Sequence, residues 1–284
     1  MASLRASDYQ WRMTGTSPSI SQAPAIGGLI QRWRKGRRLS QLDLALESGI
    51  SARHLSFIET GRTRPSRDMV LRLCGVLAVP LRDRNNLLLA AGFAPVYRET
   101  ALDAPEMAEI ISAVRMILRR HEPYPAVAFD VGWDIVMANT AYAGMVNALL
   151  PAGHAQLPAL ALVEKPRPNI LRMLCRPEGA RNLLANWEET TRAVLARARR
   201  EVLRDGDAGR RALLAEVSAY PGVPGPDPRE LDGAQVGLVV PVEIRTSAGT
   251  QRLLSTIATL GTAEDITLQE LRIESFHPVE DAAA

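Results

Sequence analysis

Eight basic side chains lie on either side of residues 39–61 and could bind a chain of phosphates. Five precede this segment and three follow it: Arg32, Arg34, Lys35, Arg37, Arg38, Arg62, Arg64 and Arg67. Guanidinium groups form paired hydrogen bonds with phosphate oxygens, and clustered basic groups attract polyanions and displace their counterions. A solvated basic surface would explain either cluster alone, but it explains two clusters around one segment poorly.

The segment between the two basic clusters predicts two short helices joined by a sharp turn. Ser40 can cap a helix over 41–47, and Ser51 can cap a second helix over 52–60. Gly49 stands between them, at a position where positive φ is tolerated. An αα-hairpin in a helical enzyme is the alternative, and the flanking charge disfavours it.

Apolar residues at helical spacing predict five helices in this part of the chain. The apolar faces expected are Ile26, Leu29, Ile30 and Trp33 over 26–35; Leu42, Ala45 and Leu46 over 41–47; Leu55 and Ile58 over 52–60; and Met69, Val70, Leu73 and Val76 over 66–77. A fifth helix over 81–91 is closed by Gly92. Together they predict an all-α bundle with its own core.

Charge divides the chain into two unequal parts. Residues 1–92 contain 14 Lys and Arg against 6 Asp and Glu, whereas residues 93–284 contain 20 against 25. We therefore expect a basic domain and a mildly acidic one. The expected boundaries are a disordered lead at 1–24, the helical domain at 25–92, a linker at 93–105, a second domain at 106–279 and a tail at 280–284.

Residues 26–80 resemble the Xre-type, phage-repressor-like helix-turn-helix domain. The matching elements are Ser40 with Gln41, Leu44 with Ala45, Gly49 to Ser51, Ile58 with Glu59 and Gly61, Pro65 with Ser66, and the helix over 71–79. The resemblance implies that the helix over 52–60 lies in the major groove of DNA. It also implies that Gln41 contacts a phosphate.

We expect the DNA-binding residues to come from the basic clusters, from the helix over 52–60 with its cap, and from the start of the helix over 41–47. They are Arg37, Arg38, Gln41, Ser51, Ala52, Arg53, His54, Ser56, Phe57, Arg62, Thr63 and Arg64. Arg53 could bind a guanine edge bidentately, which is worth about 1–3 kcal/mol of discrimination. Phe57 could pack on thymine methyl groups or fold beneath the helix as core, and the sequence leaves both open.

The remaining chain predicts an α+β domain. Helices are expected over 108–121, 139–150, 181–205 and 208–219, a β-hairpin over 125–139, and strands over 237–245, 252–259 and 270–277. Two strands, several helices and then three strands is the order of a PAS-like sensor fold. The fold class predicted is therefore a five-helix lambda-repressor-like domain followed by a PAS-like α/β domain.

Residues 98–278 resemble the MmyB-type ligand-binding domain, chiefly in the segments 103–110, 121–139, 169–189, 219–223 and 260–278. The resemblance implies a PAS-like pocket for a small hydrophobic ligand, fatty-acid-like in some members. Candidate lining residues are Phe129, Trp133, Met137, Leu174 and Trp187, with Val136 and Met145 beside them. Asn139, Asn169, Arg172 and Arg181 could hold a polar head group. For each residue taken singly, ordinary packing or internal hydrogen bonding is the favoured alternative.

Catalytic motifs do not occur in the sequence. The four histidines lack HExxH spacing, neither Cys74 nor Cys175 has a CxxC partner, and no GxSxG, P-loop or GxGxxG is present. We therefore expect no enzyme activity, metal or cofactor. The sequence shows neither an apolar run long enough to span a bilayer nor a secretion signal. We therefore expect a cytoplasmic protein that does not enter a membrane.

Taken together, the sequence predicts a one-component transcriptional regulator. It would bind a double-stranded DNA operator, as a homodimer, and respond to a small hydrophobic ligand through its second domain. The alternative is an antitoxin-like DNA-binding repressor whose second domain binds a partner protein.

Overall fold

The computed structural model describes residues 26–149, 156–205, 207–226, 240–247 and 249–279. The predicted disordered lead at 1–24 and tail at 280–284 lie outside these ranges. So do the first residues of the strand predicted over 237–245.

Five helices form the N-terminal domain, called the head below. They are α1 (Ile26–Gly36), α2 (Gln41–Glu47), α3 (Ala52–Glu59), α4 (Arg67–Val76) and α5 (Leu81–Ala90). The hydroxyls of Ser40, Ser51 and Ser66 each accept a hydrogen bond from an amide of the following first turn. These local caps fix where α2, α3 and α4 begin, as predicted for the first two.

Close backbone contact sets α3 against α1. A β-carbon at Gly27 would collide with the carbonyl oxygens of Ile58 and Glu59, so glycine lets the two helices meet. Gly49 joins α2 to α3 with a φ of +64°, which confirms the predicted turn. The core beneath them includes Ile30, Leu44, Leu55, Ile58, Leu73 and Leu88.

Helix α2 buries a different face from the one predicted. Leu44 and Ala45 are buried, whereas Leu42 and Leu46 are 58% and 70% exposed. The predicted apolar face of Leu42, Ala45 and Leu46 is therefore wrong. A helix of seven residues offers two overlapping apolar faces of similar period, and packing against α3 selects between them.

The C-terminal domain joins helices to one sheet. Its helices are α6 (Ala108–Arg120), α7 (Thr140–Asn147), α8 (Ile170–Cys175), α9 (Trp187–Asp205), α10 (Ala208–Ser218) and α11 (Ile266–Glu270). Its strands are β1 (Ala126–Phe129), β2 (Ile135–Ala138), β3 (Val242–Thr246), β4 (Gly249–Thr259) and β5 (Arg272–Pro278). They form one antiparallel sheet in the order β2-β1-β5-β4-β3. The predicted α+β fold, with two strands, then helices, then three strands, is confirmed.

The strands β1 and β2 are covered on both faces of the sheet, whereas most of β4 is exposed. The inner face of the sheet carries Val127, Phe129, Ile244 and Leu253 and packs against α7, α8, α9 and α10. Its outer face carries Ala126, Ala128 and Ile273 and packs against α6. Alternation of side chains along each strand produces this division.

Three helices differ from the prediction. The long helix predicted over 181–205 begins only at Trp187, because Ala180–Asn182 form a separate 3-10 turn. Helices α8 and α11 were not predicted. With six and five residues, they are too short to show a helical period.

Candidate functional site

Helix α3 turns a polar face away from the core of the head. Leu55 and Ile58 are fully buried, while Arg53 is exposed and Ser56 is partly exposed. Ala52 and His54 are also partly exposed. The hydroxyl of Ser51 accepts a hydrogen bond from the His54 amide at 3.1 Å, so this residue caps the helix. The geometry leaves one helix face open to a partner.

The ring of Phe57 lies near two guanidinium groups on this face. Arg53 is 5.4 Å and Arg62 is 5.8 Å from the ring centroid. Phe57 is partly exposed and stands outside the apolar cluster that the described residues of the head form. Of the two positions that the sequence left open, the structure shows the outward one.

The loop after α3 brings Arg62 to the ring of Phe57. The amides of Arg62 and Thr63 both donate to the Phe57 carbonyl, at 2.8 and 3.1 Å. Gly61 allows this reversal with a φ of +75°. Arg62 and Arg64 are exposed, and Thr63 is partly exposed. The structure thus brings Arg53, Phe57 and Arg62 together.

A buried ion pair holds α3 to α1 and reaches α2. The Nε and Nη2 atoms of Arg34 donate to the two carboxylate oxygens of Glu59 at 2.7 and 2.9 Å. The amide nitrogen of Gln41 donates to the same carboxylate at 2.8 Å. Burial acts to raise the pKa of Glu59, but the hydrogen bonds from Arg34 and Gln41 outweigh it and lower the pKa. Glu59 therefore orients the Gln41 side chain.

Of the predicted DNA-binding residues before α2, Arg37 is bonded to backbone carbonyl groups and Arg38 is exposed. The Arg37 guanidinium donates to the carbonyls of Leu77 and Ala78, both at 2.9 Å, and lies over the Trp33 ring. Arg37 thus satisfies carbonyl groups that follow the end of α4. Arg38 is exposed, with a φ of +59°.

Four of the predicted ligand-lining residues share the inner side of the sheet. Phe129 and Trp133 stack at 5.4 Å between ring centroids, and Leu174 belongs to the same buried cluster. Trp187 packs against that cluster and donates to the Leu174 carbonyl at 2.8 Å. These residues form an aromatic interior beneath the helices.

Met137 lies on the outer face, away from those four residues. Both Val136 and Met137 belong to the outer cluster. Ala128 pairs with Met137 but Phe129 pairs with Ile135, so Val136 is an extra residue in β2. Such a bulge interrupts the alternation of side chains and puts two successive residues on one face.

The two predicted asparagines serve as helix caps. Asn139 accepts from the amides of Ala126 and Tyr142, both at 3.0 Å, and so joins β1 to the start of α7. Asn169 accepts from the Arg172 amide at 3.2 Å and donates to Asp134 at 2.7 Å. Their polar groups are thus bonded within the fold.

The two predicted arginines are also bonded within the fold. Arg172 donates to Glu216 at 2.8 and 2.7 Å, and this pairing, with Tyr220, lowers the pKa of Glu216 to about 2. The Arg181 guanidinium lies 4.2 Å from the centroid of the Trp187 ring. Arg181 also donates to the Cys175 carbonyl at 3.2 Å, so it is placed against an aromatic residue of the interior and bonded to the backbone beside it.

Sequence reasoning missed a charged group inside the C-terminal domain. The Arg197 guanidinium, from α9, lies 4.8 Å from the Trp133 centroid and 5.9 Å from that of Phe129. Glu274, on β5, pairs in register with Val127 on the inner face. Burial raises the pKa of its carboxyl, while Ser255 and Arg197 act to lower it. An acidic residue at an inward position of a predicted strand was the available signal for Glu274.

Both cysteines are buried as free thiols. Burial raises the pKa of the Cys74 thiol to about 12 and that of Cys175 to about 11. In the described ranges, His, Cys, Asp and Glu side chains do not gather in groups of three or more that could hold a metal ion. Within the same ranges, each helix is too short or too polar to cross a bilayer.

The exposed α3 face and the sheet order define a helix-turn-helix protein with a PAS-like second domain. Residues 30–83 match the helix-turn-helix family model, and residues 110–284 match the MmyB-like transcription regulator ligand binding domain. The second match spans more than half of the chain, so the chain belongs to the MmyB-like transcription regulators. It is a DNA-binding regulator with a ligand-binding domain. No curated protein matched the chain.

Proposed function

We propose that the chain is a sequence-specific regulator that binds an operator as a homodimer and responds to a small hydrophobic molecule. The observation that supports DNA reading most directly is the outward cluster of Arg53, Phe57 and Arg62 on and beside α3. A recognition helix contacts only a few base pairs, so a second copy on a neighbouring half-site supplies the remaining affinity.

Each residue of the cluster has a distinct role in this proposal. Arg53 reads a guanine edge from the first turn of α3, and the Phe57 ring contacts thymine methyl groups beside it. Arg62, Thr63 and Arg64 contact phosphates, which fix the register of the helix on the duplex. Gln41, oriented by Glu59, adds a phosphate contact from the start of α2.

The effector proposed is an apolar molecule with an acidic head group. Phe129, Trp133, Leu174 and Trp187 supply apolar surface on the inner side of the sheet. Arg197 is one cation beside the rings of Phe129 and Trp133, and it also pairs with Glu201 at 3.1 Å. Mixed apolar walls and one charged group are typical of sites for such molecules.

Native mass spectrometry of the full chain from its own host tests the effector and the dimer together. We expect a mass of two chains carrying a retained lipid-like molecule. A stoichiometric foreign protein chain in its place would support the antitoxin-like alternative and reject the sensor.

A titration of operator DNA tests the phosphate contact proposed for Gln41. Gln41→Ala should weaken binding to all sequences alike, because phosphate contacts carry no base information. Arg72→Ala, an exposed substitution on α4, is the control.

Hexadecanoate added to the natural chain should change operator affinity. Equal affinity with and without hexadecanoate rejects this molecule as an effector.

A further inference from the structure

Helix α5 of the head receives its cap from the ligand-binding domain. Pro80 precedes the helix and makes no side-chain cap hydrogen bond. The Leu81 amide instead donates to the side-chain oxygen of Gln269 in α11, 2.7 Å away. Amides in the first turn of a helix have no partner within the helix. A residue 188 positions further along the chain therefore completes the last helix of the head.

Arg82, the next residue, joins the same two elements and the linker between them. Its Nε and Nη2 atoms donate to Glu270 at 2.7 and 2.9 Å, and its Nη1 and Nη2 atoms donate to Glu99 at 2.9 and 2.6 Å. Glu270, and then Glu99, raise the pKa of Arg82. Only a planar guanidinium offers enough donors to hold two carboxylates in this way.

The linker itself is bonded to the start of α11. The amide and hydroxyl of Thr100 donate to the Asp265 carboxylate at 3.1 and 2.7 Å. The Ile266 amide donates to the Arg98 carbonyl at 2.8 Å. We call the contacts of Leu81, Arg82, Glu99 and Thr100 with Asp265, Gln269 and Glu270 the clasp.

The clasp is continuous with a strand that lines the interior of the ligand-binding domain. Helix α11 ends at Glu270 and β5 begins at Arg272, with only the buried Leu271 between them. Arg272 donates to Glu201 of α9 at 2.9 and 3.0 Å. Glu274 follows on the inner face of the sheet. The strand β5 is therefore joined to α11, which contacts the head, through one buried residue.

We propose that the clasp sets the orientation of the head on the ligand-binding domain, with Arg82 as its positioning residue. When the proposed effector binds inside the ligand-binding domain, a shift of β5 moves α11. The movement of α11 in turn moves the start of α5. Coupling of this kind needs two arrangements that ligand and DNA favour differently. The regulatory part rests on the proposed function, whereas the orientation can be measured without any effector.

Spin labels on the two domains measure the orientation in the full chain. Glu47 on α2 and Glu188 on α9 are both exposed and can be replaced by cysteine, while Cys74 and Cys175 are buried. Double electron–electron resonance should give one narrow distance distribution. Arg82→Ala should broaden it, and Glu270→Gln should broaden it by a similar amount. The two changes together should add little, because they break the same contact.

Matched variants separate the clasp from a general loss of structure. Arg72→Ala, on the exposed face of α4, should keep the narrow distribution, and Arg82→Lys should give an intermediate one. Hydrogen exchange of the Leu81 amide should quicken by about fivefold in Gln269→Ala, the change expected when a helix cap is lost. A narrow distribution and unchanged Leu81 exchange in the clasp variants would overturn the proposal.

Operator binding by the same variants distinguishes the two proposals. If the natural chain binds no operator, the proposed function fails. The distance distribution still tests whether the clasp sets the orientation of the head. If hexadecanoate shifts the distance in the natural chain and this shift is lost in Arg82→Ala, the coupling is supported. An equal shift in both proteins rejects Arg82 as the positioning residue.

Discussion

Replacing Glu59 by Gln would leave a buried guanidinium without its carboxylate. The Glu59 side chain is 0% exposed and that of Arg34 is 9% exposed. In the variant, Arg34 keeps its hydrogen bond to the Leu39 carbonyl at 2.9 Å but loses its charged partner. Gln41 loses the carboxylate that orients it. The change therefore weakens both the head and one expected DNA contact.

The free-energy cost follows from the burial of the pair. Removing one partner of a buried ion pair costs about 3–5 kcal/mol. A Gln oxygen still accepts one hydrogen bond, so we expect a value near the lower end, about 3 kcal/mol. Whole domains are stable by about 5–15 kcal/mol, so this loss is large for the head. Replacing both residues, as Arg34→Met with Glu59→Leu, should restore most of it because no charge is left buried.

The pH dependence gives a second signature of the pair. The pKa of Glu59 is lowered from 4.5, so its contribution is present above pH 4.5 and is lost as the pH falls through the folded-state pKa. The difference between the natural chain and Glu59→Gln should therefore shrink in acid. Urea titrations followed by hydrogen exchange of peptides from 26–90 measure the head separately. A loss below about 1 kcal/mol at neutral pH, or a pH-independent loss, would refute the reasoning.

Three further predictions concern single side chains. Phe57→Leu removes the ring proposed to contact thymine methyl groups, so operator affinity measured by fluorescence anisotropy should fall several-fold, and an unchanged affinity would reject that contact. Glu274→Gln should raise the melting temperature of the ligand-binding domain at neutral pH. Because burial raises the pKa of Glu274 above 4.5, the gain in melting temperature should vanish below pH 4.5. A gain that does not change with pH would contradict this prediction. Leu46→Gln should change unfolding free energy by less than about 0.5 kcal/mol in urea, against about 2–5 kcal/mol for Leu44→Ala.

Features encoded within a few residues could be predicted from the sequence. Ser40 and Ser51 cap helices because each hydroxyl reaches an amide three residues later, and Gly49 supplies the turn between them. The five strands and the longer helices were likewise evident from local periodicity, whereas α8 and α11 were too short to show it. The outward face of α3 followed from the burial of Leu55 and Ile58.

Features that depend on distant residues could not be predicted. Arg34 and Glu59 are 25 positions apart, and their pairing needs the contact of α1 with α3 that Gly27 allows. The position of Met137 depends on a bulge that alternation alone does not show. Arg82 and Glu270 carry no motif, and only the folded chain brings them together.

Selection of binding sites from random duplex DNA tests the central claim, recognition of base sequence by α3. The natural full chain and Arg72→Ala should enrich the same motif, with a guanine at one position in each half-site. Arg53→Ala should lose preference at that guanine by about 5- to 150-fold, the equivalent of about 1–3 kcal/mol, and keep the rest of the motif. Enrichment of no motif by the natural chain, or of an unchanged motif by Arg53→Ala, would contradict the account.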